Sequence, residues 1–383
     1  MKLLVVSYKR CRLGKDGYVS DGGFPIQMRA LSELFDATTL FLERDDSDAR
    51  PGDIPLAGHA MRIVRSKAPP AILGYRKLGI PIWIAKNIIR LLREIRAHDA
   101  VHTPVPCDTG SIAMLLAWLL RKPLYVRHCG NWFETRTRAE RFWHAFMESV
   151  AGGRNVMLAT GGGADSPSRR NPEVRWIFST TITAGELRGS SEPERSVPVD
   201  EPRLILVGRQ EHGKGTDVLL HTVAALRERG VAARAEVVGE GGRLQEYRAM
   251  SAALGLDTAV TFHGRLSHDN VLHLLRQAHL FLFPTMSEGF PKAVLEALAT
   301  GLPVITTPVS VLPSLLSTGA GCIVPEREPQ LFADAVMRCI GDTEAYREMS
   351  RRAVETAAQF TLESYSATLH QLLSQQWGEL RHA

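Results

Sequence analysis

Short apolar runs alternate with amphipathic segments along the chain, in two successive series. In the first, the runs predict strands over 3–7, 37–42, 60–64, 100–102 and 124–127, with a loop at Gly22-Gly23 and a helix over 25–35. In the second, strands over 204–207, 235–238, 260–262 and 280–283 are separated by helices over 216–228, 243–254 and 270–277. A further helix over 292–300 starts near Pro291 and is stopped by Gly301-Leu302-Pro303, and a last one covers about 362–377. This alternation is the rhythm of a parallel, doubly wound α/β sheet. Residues 188–202 are rich in Ser, Pro and Glu and lack apolar periodicity, so they read as a connector. The expected organisation is an N-terminal Rossmann-like domain over 1–187, a linker over 188–202, a second Rossmann-like domain over 203–361 and a C-terminal helical segment over 362–383.

A length of 383 residues suits two domains, and 23% charged with 44% hydrophobic residues describes a soluble globular protein. The longest nearly unbroken apolar run, 112–120, is too short to cross a bilayer, and 3–6 is too short for a signal-peptide core, so a cytoplasmic protein is expected. Cys11, Cys107, Cys129, Cys322 and Cys339 are odd in number, widely spaced and contain no C-x-x-C pair, which argues for reduced thiols and against a zinc site. The net charge of +5 is unevenly divided. Residues 1–190 hold 28 Lys and Arg against 18 Asp and Glu, and residues 191–383 hold 18 against 23, giving +10 and −5. A basic first half suits an acidic acceptor or an anionic membrane surface. Nucleic acid is not expected, since no recognised module and no aromatic-interleaved basic run is present. Residues 81–97 form an amphipathic helix with Lys86, Arg90 and Arg93 largely opposite its apolar side; the basic face is either a membrane contact or plain solvated surface.

The candidate chemistry concentrates in the second series. Ser287-Glu288-Gly289-Phe290-Pro291-Lys292-Ala293-Val294-Leu295-Glu296-Ala297 reads as strand end, tight loop and helix start. The first-turn amides and the positive end of that helix can receive phosphate or sugar oxygens, with Glu288 before the helix and Glu296 within it. After the strand at 204–207, Gly208-Arg209-Gln210-Glu211-His212-Gly213-Lys214-Gly215-Thr216-Asp217 nearly satisfies the phosphate-binding pattern G-x-x-x-x-G-K-[ST]. It departs at Gly215, where the pattern needs a hydroxyl for Mg²⁺. Gly239-Glu240-Gly241-Gly242 reads as a close-approach turn because Leu244 stands where a third glycine belongs.

The carboxylate pair, together with the surrounding S-E-G-F-P-K-A-V-L-E-A-L-A-T-G-L-P-V-I-T-T, resembles the E-x7-E segment of the retaining GT-B glycosyltransferases, especially glycosyltransferase family 4. The loop from Gly208 is similar to that family's G-R-x-x-x-x-K-G-x-D. The resemblance implies two Rossmann-like domains facing an interdomain crevice, with the last helix packing back on the first domain. It implies that Gly208, Arg209 and Lys214 hold the donor diphosphate, that Glu288 supports the donor sugar, that Glu296 accepts from the ribose, and that Gly289, Phe290, Lys292 and Ala293 line the donor. Gly22 and Gly23 would contact donor phosphate or acceptor, or form a plain tight turn. His128, at a strand end before Gly130, would hydrogen-bond a sugar hydroxyl or the leaving phosphate, or be structural; His102, His212 and His263 are structural. No cofactor and no metal are implied, and Asp46-Ser47-Asp48, which fits a D-x-D metal motif, sits in a loop of a chain otherwise unlike the fold that uses it.

The implied activity is metal-independent, retaining transfer from a nucleotide diphosphate sugar to a polysaccharide or lipid-linked saccharide acceptor. Rival readings are a P-loop-like NTPase and a catalytically silent sugar-nucleotide binding subunit. Where relatives carry an I-P-N-G-V-D-like segment, this chain has Trp176-Ile177-Phe178-Ser179-Thr180-Thr181-Ile182, so the acceptor edge or hinge departs from the pattern.

Overall fold

The computed structural model describes residues 1–70, 76–135, 137–163, 165–187 and 200–381. Its contacts divide the chain into Met1–Phe178 with Glu363–Ala383, and Ser179–Leu362. Most of the expected linker, 188–199, lies outside the described residues. The division at Phe178–Ser179 falls earlier than residue 187 because the segment after it bonds into the second unit: Thr181 Oγ1 donates to Glu296 (2.8 Å) and Leu362 N to Ile182 O (2.7 Å).

The first unit runs β1 (Lys2–Gly14), β2 (Gly17–Ser20), α1 (Phe24–Ser32), β3 (Ala37–Arg44), β4 (Ile54–Pro55), β5 (Met61–Ser66), α2 (Ile80–Ala97), β6 (Ala100–Val105), α3 (Asp108–Leu119), β7 (Leu124–His128), α4 (Arg138–Val150), β8 (Asn155–Thr160) and β9 (Val174–Ile177). Seven strands lie parallel in the order β5-β3-β1-β6-β7-β8-β9. Every residue of β6 and β7 is buried, as central strands covered on both faces require. The register of β1 against β3 shifts between Val6 and Arg10, and beyond that shift β1 pairs antiparallel with β2, which pairs with β4. This hairpin was not anticipated. Gly22-Gly23 therefore follows β2 rather than the first strand, and Gly23 caps α1 without a side-chain bond.

The final helix, α12 (Leu362–Trp377), packs from Glu363 onward in this unit. Its Tyr365 hydroxyl accepts from Arg127 Nη1 (3.2 Å) and lies 3.3 Å from the Tyr125 hydroxyl. Arg127 is 7% exposed, donates through Nη2 to Gln27 Oε1 (3.1 Å), and has no carboxylate partner among the described residues.

The second unit contains β10 (Arg203–Val207), α5 (Thr216–Glu228), β11 (Arg234–Val238), α6 (Leu244–Ala253), β12 (Val260–Gly264), α7 (His268–Gln277), β13 (Leu280–Phe283), α8 (Lys292–Ala299), β14 (Val304–Thr306), α9 (Leu312–Leu316), β15 (Gly321–Ile323), α10 (Pro329–Ile340) and α11 (Thr343–Ala357). Its six described strands are all parallel, in the order β12-β11-β10-β13-β14-β15. The core joins Leu204 and Leu206 of β10 to Val223 and Leu226 of α5 and Phe332 and Val336 of α10. From β10 the chain runs outward through β11 and β12, then returns to β13 on the other side of β10. The carboxyl ends of β10 and β13 form the topological switch point where open α/β sheets bind ligands.

Candidate functional site

Two loops leave that switch point, 208–215 after β10 and 284–291 after β13, and they bond to each other. Met286 N donates to Gly213 O (2.8 Å), and Lys214 Nζ pairs with Glu288 Oε1 at 2.5 Å and donates to Ser287 O (3.4 Å). Thr285 Oγ1 donates to the same Glu288 oxygen (3.3 Å). Both charged side chains are largely buried, at 20% and 15% exposure, so the pair is charge-assisted and poorly screened. Glu288 Oε2 accepts nothing from the described residues, which leaves one carboxylate oxygen for a ligand hydroxyl. Arg209, by contrast, is exposed and makes no ion pair or side-chain hydrogen bond within the described residues.

The loop after β10 is fixed from below by Gln210, whose Nε2 donates to Gly208 O (2.9 Å) and whose Oε1 accepts from Thr216 Oγ1 (2.7 Å). Gly215 has φ +98°, and a Cβ there would stand 2.6 Å from Pro284 O. This explains the missing hydroxyl: the β13 loop occupies the space that a Ser or Thr side chain would need. Gly239 is the expected close-approach turn, since a Cβ on it would meet Gly208 O at 1.9 Å. Asp217, which completes the G-R-x-x-x-x-K-G-x-D pattern, is bound by Arg327 Nη2 (3.1 Å) and so anchors the start of α5.

No side chain caps α8, whose N-cap is Pro291; within the first turn Val294 N donates to Pro291 O (3.0 Å). Lys292 and Ala293 open the helix, and Gly289 precedes it with its carbonyl accepting from Ser310 Oγ (2.9 Å). Phe290 is buried, and its ring lies 5.7 Å from that of Phe360. Glu296 lies on the second turn of α8. Its Oε1 accepts from Thr181 Oγ1 (2.8 Å) and stands 3.7 Å from His268 Nδ1, while Oε2 accepts nothing from the described residues. Burial raises the pKa of Glu296, opposed by His268, Thr181 and Lys292. His268 in turn bonds through Nε2 to Glu186 (2.9 Å), and that hydrogen bond raises its pKa. Burial pushes Glu186 up, but bonds from His268 and Thr183 outweigh it and hold its carboxyl below the ordinary value. His268, Glu186 and Thr181 were missed in the sequence; a Ser267-His268-Asp269 helix start was the signal for the first.

Gly208, Arg209, Lys214, Glu288, Gly289, Phe290, Lys292, Ala293 and Glu296 thus gather on the second unit, whereas Gly22, Gly23 and His128 belong to the first. His128 ends β7, is 6% exposed, and lies edge-on to Trp132 (5.2 Å) and His144 (6.3 Å). Burial, aided by His144, lowers its pKa to about 4, so the ring is neutral at pH 7, and its buried Nδ1 has no hydrogen-bond partner among the described residues. His102 is stacked on Tyr125 at 4.0 Å, with its pKa pushed by burial to about 3. Asp46 pairs with Arg44, and Ser47 Oγ bonds to Asp45 (2.8 Å).

Two parallel-sheet α/β units with a loop-borne cationic and carboxylate site at a switch point define the GT-B fold, and solved structures share it. The HepE protein of Anabaena, whose crystals hold UDP and glucose, superposes with a TM-score of 0.70 at 16% identity over 98% of this chain and 99% of that one. Residues 190–356, less than half of the chain, match the family described as glycosyl transferases group 1. A D-inositol 3-phosphate glycosyltransferase of Corynebacterium efficiens is 32% identical over 191 residues, 48% of this chain and 44% of the relative, so the match spans about half the relative's length. One of Corynebacterium jeikeium aligns over 97% of this chain and 96% of its own at 29% identity.

Proposed function

We propose that this protein is a retaining, metal-independent glycosyltransferase of family 4 type that moves a sugar from a nucleotide diphosphate donor to a saccharide or lipid-linked saccharide acceptor. The observation that carries this reading is the meeting of Lys214 and Glu288 at the β10/β13 switch point, with the uncapped start of α8 beside them. Arg209 and Lys214 supply positive potential to the departing diphosphate, and the α8 amides add a fixed dipole, a form of preorganised electrostatic stabilisation. Donor binding draws Lys214 toward phosphate and frees Glu288 for the sugar. The unengaged oxygen of Glu296 accepts from a ribose hydroxyl, and His128 hydrogen-bonds a sugar hydroxyl or the leaving phosphate. Gly22 and Gly23 bring backbone close to donor or acceptor.

Among the described residues no helix is long and apolar enough to cross a membrane. We place the work at the cytoplasmic face, with the basic first half drawn to anionic lipid.

Thermal-shift screening against UDP-, GDP- and ADP-sugars, followed by transfer assays with and without EDTA, tests the reading, because a ligand of the folded state raises its apparent stability. The expected result is a shift with at least one donor and transfer that survives chelation. No shift with any donor, or Mg²⁺-dependent ATP hydrolysis, overturns it. Loss of transfer in EDTA with rescue by Mn²⁺ overturns metal independence alone.

A further inference from the structure

A cavity of about 670 Å³ lies within the first unit, where the carboxyl ends of β3 and β5 meet α2. Among the described residues its wall carries Arg44, Arg65, Lys67, Lys86 and Arg90 and no Asp or Glu. Arg44 pairs with Asp46, but the other four make no ion pair with any described residue. A merely solvated basic face leaves its cations free to swing apart. Here two guanidinium groups are held: Arg65 lies over the Tyr18 ring, 4.9 Å from its centre, and Arg90 Nη1 donates to the Arg65 carbonyl (2.9 Å).

The helix face behind them is equally specific. On α2, Trp83, Leu91 and Ile95 are buried at the spacing of a core-facing stripe, and the fourth buried position is Asn87. Asn87 lines the cavity, is 5% exposed, and donates its amide to Trp83 O (2.9 Å). An apolar residue would serve packing better, so the amide is explained by the cavity it borders.

Like charges converging on one hollow repel each other and concentrate anions. Planar guanidinium forks fixed in place match phosphate oxygens. The volume exceeds what a bare inorganic ion fills and lies in the range of small-molecule sites. We propose that this cavity binds a phosphate ester carrying at least two negative charges, at a site separate from the donor-diphosphate site on the second unit. The proposal does not depend on the transfer reaction: either can fail alone.

Acylation of lysines in the full chain, read residue by residue by mass spectrometry at about physiological salt, provides the test. Millimolar inorganic pyrophosphate should slow modification of Lys67 and Lys86 at least fivefold and leave exposed Lys15 unchanged. The Arg65→Gln/Arg90→Gln protein should lose this protection. As Lys86 and Arg90 are exposed, single Lys86→Gln and Arg90→Gln proteins, with Lys67 as the readout, keep the test valid if the double variant folds poorly. Glucose 1-phosphate and farnesyl diphosphate then separate a soluble from a lipid-borne ester, the better protector naming the source. Equal slowing at Lys15, or protection that persists in the arginine variants, overturns the proposal. So does protection by phosphatidylglycerol vesicles without any by pyrophosphate, which would mark a lipid-facing surface instead.

Discussion

Glu288 is paired with Lys214 and Glu296 accepts from Thr181, and these two carboxylates carry separate expectations. Glu288→Gln should abolish transfer while leaving nucleotide diphosphate affinity nearly unchanged, checked by calorimetry alongside turnover; substantial residual turnover would remove this carboxylate from the chemistry. Glu296→Ala should instead weaken nucleotide binding by about 1.5–3 kcal/mol, the usual worth of a hydrogen bond to a charged group. His128 makes a prediction about pH. Its folded pKa of about 4 lies below the ordinary 6.5, so its contribution to stability is complete above pH 6.5 and is lost as pH falls toward 4, when the unfolded chain takes the proton more readily. The shift corresponds to roughly 3 kcal/mol. Denaturant titrations between pH 7 and 4 should show a shallower decline in His128→Asn than in the unaltered protein; parallel declines would contradict the burial argument. The placement of Glu288, Glu296, Arg209 and Lys214 was legible in the sequence because each sits at a fixed offset from a strand end or helix start. The Lys214–Glu288 pair was not, since the two are brought together only by β10 lying beside β13, and the contacts of Glu296 with Thr181 and His268 depend on a segment that departs from the family's pattern.

At the level of elements, helices and central strands were readable wherever apolar periodicity was strong: α5, β13 and α12 have the bounds that the pattern predicts. The β1–β2 hairpin escaped because Tyr8–Gly14 is polar and interrupted, so its pairing is decided by the register shift near Val6 rather than by composition. The loop after β10 offers a direct test of why its sequence stops short of a Mg²⁺-binding P-loop. Gly215→Ser should create no Mg²⁺ dependence and should lower the unfolding midpoint, because a Cβ must displace Pro284 and the residue must hold a positive φ, strain of order 1–3 kcal/mol. A stable variant with Mg²⁺-stimulated ATP hydrolysis would refute this account.

For the whole molecule, the uneven charge is the property that composition alone made visible. The +10 of residues 1–190 should produce weak, salt-sensitive binding to anionic vesicles, at most about 1 kcal/mol per basic residue near the surface. Co-sedimentation at low and high salt checks it, and absence of binding at low salt would leave the first half as ordinary solvated surface. The domain boundary was less legible: Ser, Pro and Glu content marked 188–202, whereas the change of partners occurs at Phe178–Ser179, where hydrogen bonds rather than composition decide membership.

The hold of Tyr365 on Arg127 also bears on the order in which the protein is made. The sheet of the first unit leaves the ribosome early, but the hydroxyl that satisfies its buried guanidinium is translated more than two hundred residues later. Until then the nascent sheet holds Arg127 with Gln27 as acceptor for Nη2 but none from Tyr365 for Nη1, and the whole second unit must be synthesised before the first is finished. Tyr365→Phe should reproduce that unfinished condition permanently, at a cost of about 1–3 kcal/mol in the first unit's stability and with a longer dependence on chaperones during synthesis.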